Sequence, residues 1–351
     1  MARTSRLLLC ALVLLRVPLG AQDATSGPTA HVFLFGDMLY QESEGSVPGE
    51  GFKLGQMVGH GNVLLTDRVA LFGEVSLTGR DTGYGIEVER AILRYDFGDA
   101  FKLSAGRYHT PISYWNTAYH HGLWLQGSVA RPEAVKFGSK FIPVHFVGAL
   151  AEGKIPGAPV TYSAGIGNGR AQNIARAGDA GDSNGSRAVF ASGAWQPGGL
   201  LGFRVGGGVY LDEVPIAGGV NADERITNGH IVWDRGSVEF ISEYLNIRHV
   251  DPLNAEATTS TAVYAHAGVR LGGKYRELMP YVRYERMNIA SGDVVFEGVV
   301  PDYEAFLGGL RWDFSEYAAL KFEYRDQKFG SGARVGTLYI QASFAVPLFA
   351  G

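Results

Sequence analysis

The stretch Leu320-Lys321-Phe322-Glu323-Tyr324-Arg325 alternates apolar and charged side chains residue by residue. Successive side chains of a β-strand point to opposite faces of the sheet, so this pattern predicts a strand with one apolar and one charged face. Val282-Arg283-Tyr284-Glu285 and the stretch 337–343 show the same alternation, and no helical period of 3.6 residues stands out after Gln22. The sequence therefore predicts an all-β chain.

The connections between the alternating segments also follow a pattern. Short turns such as Gly98-Asp99 alternate with longer polar stretches such as 169–186. This asymmetry is typical of transmembrane barrels, in which the short turns face the periplasm. We therefore predict a transmembrane antiparallel β-barrel of about sixteen strands, with both termini periplasmic. The predicted strands are 30–40, 52–65, 69–80, 85–97, 100–109, 141–151, 159–168, 187–196, 200–212, 224–234, 237–249, 259–272, 277–289, 302–314, 317–328 and 334–348.

The first residues have the pattern of a secretion signal. Arg3 and Arg6 precede the apolar run 7–15, and Leu19-Gly20-Ala21 offers small residues for cleavage. The alternative is a buried N-terminal helix. A run this short cannot span a bilayer as a helix, which needs about 18 apolar residues or more. We expect residues 1–21 to be removed and residues 22–351 to form a single barrel in the cell outer membrane.

Composition narrows the classes further. The chain of 351 residues has 19% charged and 12% aromatic residues and a mean hydropathy of +0.00. These values exclude a helical membrane protein and a disordered chain. Without residues 1–21, 28 basic residues remain against 35 acidic ones, a net charge of −7, and the single cysteine, Cys10, is lost. The negative charge argues against nucleic acid as a partner, and the sequence suggests no cofactor.

The longest connection, 110–140, differs in content from the other connections. It follows Gly106-Arg107-Tyr108-His109 and contains Tyr114-Trp115-Asn116, His120-His121 and Arg131-Pro132-Glu133. Sixteen strands with the longest loop after strand five resemble the Gram-negative outer-membrane porins, and the Gly-Arg-Tyr-x-x-Pro exit from that strand resembles their phosphate-selective branch. The resemblance implies that this loop folds into the barrel and narrows a pore for small hydrophilic or anionic solutes. It also implies outer-membrane lipid, periplasmic chaperones and the barrel-assembly machinery as partners, and a homotrimer as one assembly.

Two sets of residues are expected to line such a pore. Those expected at the constriction are His109, Tyr114, Trp115, His120, His121, Arg131, Glu133 and Lys136. Those expected on the wall, from the charged face of the strands, are Arg90, Arg94, Arg270, Arg283, Glu285, Arg311, Lys321, Glu323 and Arg325.

The charges of the loop predict a weak anion preference. Arg131, Lys136 and Lys140 stand against Glu133 alone, and fields focus where a channel narrows. The three loop histidines would add positive charge as the pH falls toward about 6.5, so the preference should grow in acid. Lys136 and Lys140 could instead sit at the mouth of strand six and leave the pore unselective.

Other functions remain open at this stage. His109 with His120-His121 could hold a metal ion, although adjacent residues of an extended chain point apart, so we expect none. Ser113 and His120 could belong to a hydrolase, although the sequence places no acid close by, and we expect no catalytic residue. A barrel that binds surfaces through acidic loop residues such as Glu42 is a further alternative. Gly206-Gly207-Gly208 fits a curved strand better than a phosphate loop.

Overall fold

The computed structural model describes residues 28–45, 49–80, 82–119, 122–171, 173–176 and 178–350, with the side chains of the last two residues of this final range left out. The expected signal peptide, 1–21, and His120 and His121 lie outside the described residues. Within the described part, sixteen strands form one antiparallel barrel in which each strand pairs with its neighbours in sequence. The predicted strand count is confirmed.

The strands are long enough to cross a bilayer when tilted. Their bounds are β1 Thr29–Ser43, β2 Gly51–Leu64, β3 Val69–Arg80, β4 Gly83–Gly98, β5 Phe101–His109, β6 His145–Lys154, β7 Val160–Asn168, β8 Arg187–Trp195, β9 Phe203–Ile216, β10 Val220–Arg235, β11 Val238–Val250, β12 Ala257–Val269, β13 Leu278–Asn288, β14 Tyr303–Ser315, β15 Ala318–Phe329 and β16 Val335–Ala350.

The barrel closes where the first strand meets the last. Asp37 of β1 lies opposite Ser343 of β16, and the pairing runs on to residues 31 and 350. Closure leaves no unpaired sheet edge, which is what a lipid environment requires of backbone N–H and C=O groups. No helix in the described residues is long and apolar enough to cross a membrane.

The alternation of apolar and charged residues along each strand determines which side chains point outward. On β15, Phe322 and Tyr324 are 40% and 51% exposed, whereas Lys321 and Glu323 are 0% and 1% exposed. Apolar side chains therefore cover the outside, and charged side chains point into the barrel. Gly207 lies within β9, where a Cβ atom would come within 2.4 Å of the Asn228 carbonyl oxygen. The glycine triplet therefore belongs to a strand.

One predicted strand is wrong at its start. Residues 141–144 were expected to begin the sixth strand, but β6 begins at His145. Phe141, Ile142 and Val144 are buried instead, with exposed fractions of 0%, 0% and 1%. Because these side chains have apolar partners inside the barrel, the chain stays off the wall until residue 145. The inner segment, as we call the described residues of the range 110–144, is therefore longer than the predicted loop 110–140.

Candidate functional site

The inner segment lies inside the barrel, as expected, and forms little regular structure. It contains one helical turn, α1 (Tyr114–Ala118), and 3₁₀ turns at Leu123–Leu125 and Glu133–Val135. A segment with so few internal backbone hydrogen bonds needs other partners for its N–H and C=O groups. The charged inner face of the barrel supplies them.

Three acidic side chains of the wall accept hydrogen bonds from the segment. Glu243 of β11 accepts from Ser113 Oγ at 2.7 Å and from the Tyr114 N–H at 3.0 Å. Glu323 of β15 accepts from the Val129 N–H at 3.1 Å. Glu285 of β13 accepts from the N–H of residue 133 at 2.6 Å. These carboxylates hold the start of the segment and its central part.

Three basic side chains of the wall donate hydrogen bonds to oxygen atoms of the segment, most of them backbone carbonyls. Arg311 donates to the carbonyl oxygens of residues 124 and 126 at 2.6 and 2.7 Å. Lys321 donates to those of residues 123 and 128. Arg283 donates to the Ala130 carbonyl at 2.9 Å and to Ser128 Oγ at 2.7 Å. The charges on this side of the wall therefore hold the segment in place, so that Arg283 and Lys321 are fully buried.

Several wall residues also form ion pairs with one another. Arg325 pairs with Glu323 at 2.7 Å, and Arg283 pairs with Glu285 at 2.7 Å. Arg270, toward the short turns, pairs with Asp313 at 2.7 Å. Each pair offsets the charge that either partner alone would present to the interior.

Arg131 organises the segment from within. Its guanidinium group donates to the carbonyl oxygens of Trp115 and Tyr119 and to Asn116 Oδ1, at 3.0 to 3.3 Å. It also lies 4.2 Å from the ring centre of Phe137. Burial lowers the pKa of Arg131 to about 9, so the group still carries its charge at neutral pH. Arg131 therefore cross-links the segment.

The other residues expected at the constriction lie in different surroundings. Tyr114 and Trp115 lie on α1, where Trp115 is fully buried. Lys136 forms an ion pair with Glu133 at 2.5 Å. The buried His109 ring packs 5.3 Å from that of His145. Of the described members of the set, His109 is the one that lines a large cavity.

This cavity, which we call the lower cavity, has a volume of about 650 Å³ and lies between the inner segment and the short turns. Pro111, Ser113 and Thr117 of the segment bound it on one side, and β2 to β10 form its wall. Its charged lining residues are Arg90, Arg94, Lys102, Lys154, Arg204, Asp99 and Glu152. Arg90 and Arg94 are thus the members of the expected wall set that reach it.

A second cluster was missed by sequence reasoning. The Arg170 guanidinium contacts Glu224 Oε1 at 2.9 Å, and His249 bridges Glu224 Oε2 at 3.0 Å and Asp293 Oδ1 at 2.8 Å. The Arg170, Glu224 and His249 side chains are 0% exposed. We call these four residues the loop clamp, because Arg170 and Asp293 come from two long connections that were read as polar.

Aromatic rings pack against the loop clamp at the end of the barrel that carries the long connections. The rings of Phe141 and Phe296 stack with centres 5.5 Å apart, and the Phe296 ring meets that of His249 edge-on at 4.6 Å. The inner segment and both connections therefore share one apolar core. The available sequence signal was Val294-Val295-Phe296, an apolar run inside a connection expected to be polar.

The loop clamp predicts an acid-sensitive stability. Burial by itself would raise the pKa of Asp293, but hydrogen bonds from His249 and from the backbone N–H groups of Val295 and Phe296, with the charge of His249, lower it below its ordinary value. The carboxylate therefore stabilises the fold above about pH 4, and this contribution is lost as the pH falls through the lowered pKa. In neutral detergent, the wild-type melting temperature should fall more between pH 5 and pH 2 than that of Asp293→Asn. Equal losses in both proteins would contradict this role.

Glu87, Glu89 and His145 form a group whose ligand atoms lie within 4.8 Å of one another. Arg107 and Arg176 both form ion pairs with Glu87, and Ser76 donates to Glu89 at 2.5 Å. Because two guanidinium groups already offset the Glu87 carboxylate charge, the group is an ion-pair network that is partly exposed at Glu87 and Arg176.

No protein-family model matches the sequence, and no curated protein matches it. Solved structures match the fold along most of the chain. An anion-selective porin from Comamonas acidovorans superposes with a TM-score of 0.67 at 11% identity, over 91% of this chain and 100% of that one. OmpT, an outer membrane protein of Vibrio cholerae, in its trimer form gives 0.60 at 14% identity over 92% and 100%. The outer membrane channel DcaP of Acinetobacter baumannii gives 0.60 at 11% identity over 93% and 100%. The chain thus has the fold of Gram-negative porins.

Proposed function

We propose that the protein is an integral outer-membrane channel through which small hydrophilic solutes diffuse passively, with a weak preference for anions. The lower cavity is the observation that supports this proposal most directly. Its lining carries five basic residues against two acidic ones. A water-filled space bounded by low-dielectric walls concentrates the field of such charges and so favours anions.

Arg204 and Lys154 are the basic lining residues without an ion pair in the described part of the chain, and Arg204 is the one that lies beside α1. Arg90 is held by Glu74 at 2.8 Å, and Arg94 is held by Asp96 at 2.8 Å. For Arg204, no ion pair is found among the residues that the structure describes, and its guanidinium lies 5.7 Å from the ring centre of Tyr114 on α1. Arg204 thus places a positive charge beside α1 of the inner segment.

The proposal is tested by the reversal potential of the purified protein in a planar bilayer under a KCl gradient. We expect a weak anion preference in the wild type and a shift toward zero in Arg204→Gln, because that substitution removes the unpaired charge. Arg334→Gln, which changes an exposed residue of the outer rim, is the matched control and should leave the potential unchanged. A cation preference of the wild type would contradict the anion preference, and a protein that never conducts would contradict the channel.

The assembly and biogenesis expected for such a protein belong to the same proposal. A signal peptide at residues 1–21 would export the chain, and periplasmic chaperones and the barrel-assembly machinery would insert it. The trimer form of the Vibrio cholerae protein supports a homotrimer. The stronger anion preference in acid remains a prediction that depends on His109, His120 and His121.

No catalytic role, cofactor or resident metal is proposed. The Ser113 hydroxyl donates to Glu243, which supports an anchoring role for this residue. Glu42 accepts a hydrogen bond from Tyr40 on its own strand. These contacts favour a channel over the enzyme and the surface-binding barrel.

A further inference from the structure

Three arginine side chains lie on the outer face of the barrel near the long-loop end. Arg225 has the same strand parity as Ile231, which is 47% exposed, and Arg248 the same parity as Tyr244, which is 50% exposed. Arg187 of β8 is half exposed and pairs with Asp182 at 3.1 Å. The outer face of a membrane barrel is otherwise apolar, so charges there call for a physical account.

The register makes two of these arginines unusual. Arg225 of β10 lies directly opposite Arg248 of β11. Directly opposed residues on neighbouring strands have Cβ atoms about 5 Å apart, and like charges in that position are destabilising. No ion pair is found for either residue within the described part of the chain. The two guanidinium groups therefore repel each other without a counter-ion among the described residues.

On β13 to β15 at this end of the barrel, opposed outward charges are of opposite sign. Arg286 lies opposite Glu304, and Glu304 lies opposite Lys328 on its other side. Arg334 also contacts Glu304. The pair Arg225–Arg248 departs from this arrangement.

A cavity of about 340 Å³ lies at this position, and both arginines line it. Leu211 lies opposite Arg225 on the other side, and Val189 lies opposite Leu211, so an apolar surface continues the same row. In the next row toward the loops, Glu213 and Asp223 face each other. Asp212 and Glu224 also line the cavity, but their carboxylates accept hydrogen bonds from Arg170 inside the barrel. On the outer face, the two arginines thus adjoin an apolar surface, with Glu213 and Asp223 on the loop side.

We propose that Arg225 and Arg248 bind the phosphate monoester group of an anionic membrane lipid whose acyl chains pack along Val189 and Leu211. This inference rests on the proposed membrane location. A phosphate monoester carries between one and two negative charges at neutral pH and accepts hydrogen bonds from both guanidinium groups, which converts the repulsion between them into a shared contact. The apolar surface of Val189 and Leu211 favours a lipid over a free phosphate ion, because acyl chains bury apolar surface there and a free ion does not.

The test is a titration of the purified full chain in neutral detergent with phosphatidic acid, read as melting temperature and as bound lipid by native mass spectrometry. Each arginine should account for about fivefold in affinity, as one basic residue near an anionic lipid surface typically does. Arg225→Gln with Arg248→Gln should therefore weaken binding by more than tenfold. Without lipid, Arg225→Gln alone should raise the melting temperature, because it removes the repulsion.

Arg286→Gln is the matched control, since it removes an outward arginine at the same end that has an opposed carboxylate. It should leave phosphatidic acid binding unchanged. Equal binding by the wild type and the double variant would overturn the site, and so would an equal effect of inorganic phosphate or phosphatidylcholine. Because these measurements do not require conduction, a protein that conducts but fails them overturns only the lipid site. A protein that passes them but never conducts overturns only the channel.

Discussion

Deletion of residues 115–130 should raise the single-channel conductance severalfold. This part of the inner segment contains α1 and the stretch held by Arg283, Arg311 and Lys321. Removing it would leave these side chains facing an open interior, where water can replace the lost backbone partners. The resistance of a channel is set mainly by its narrowest part, so the removal of that part should dominate the measurement.

The measurement is the conductance of single insertions in a planar bilayer, with the native strand content checked by circular dichroism. A deletion of residues 252–254, in a long-loop connection that lies outside the inner segment, is the matched control and should leave the conductance near that of the wild type. An unchanged conductance in the 115–130 deletion would mean that ions cross the barrel by a path that avoids the segment.

Arg170→Met should lower the free energy of unfolding by about 3–5 kcal/mol, the usual range when one partner of a buried ion pair is removed. The Arg170 guanidinium donates to Glu224 and to the carbonyl oxygens of Lys140, Phe141 and Ile174, at 2.7 to 3.0 Å. The substitution would leave the buried Glu224 carboxylate with His249 as its one cationic partner among the described residues. It would also release the last turn of the inner segment.

Unfolding in urea from neutral detergent, followed by tryptophan fluorescence, measures this effect. Arg334→Met is the control, because Arg334 forms its ion pairs at the exposed rim, where such pairs contribute about 1 kcal/mol or less. Arg170→Lys should fall between the two, since a lysine keeps the charge but cannot reach all of the oxygens from one planar group. Equal stabilities of Arg170→Met and the wild type would show that the loop clamp does not hold the loops.

Features that depend on residues close together in sequence were predicted, and features that depend on contacts between distant residues were missed. The alternation at 320–325 is local, because neighbouring side chains on a strand point to opposite faces whatever they later contact. It therefore predicted β15, its apolar outer face and, repeated along the chain, the sixteen strands. The length of 110–140 marked it as the longest connection, and the resemblance to porins predicted that this loop would enter the barrel.

The hydrogen-bond partners of the inward-pointing charged residues could not be predicted from the neighbouring sequence. Lys321 and Glu323 were expected to face a water-filled pore, and both do point inward. Their contacts, however, are backbone groups of the inner segment, nearly two hundred residues away in sequence. A charged residue on an alternating strand has the same sequence pattern whether water or a folded loop satisfies it.

The sequence by itself determined the all-β class, the number of strands, the direction of each face and which connection is the longest. These depend on side-chain periodicity and on turn length, both of which are properties of short stretches. Only the tertiary structure decided that Arg170, Glu224, His249 and Asp293 meet, and that Arg225 faces Arg248. Both arrangements depend on strand register and on the packing of distant connections, because the energy that selects them comes from contacts made after the barrel has closed.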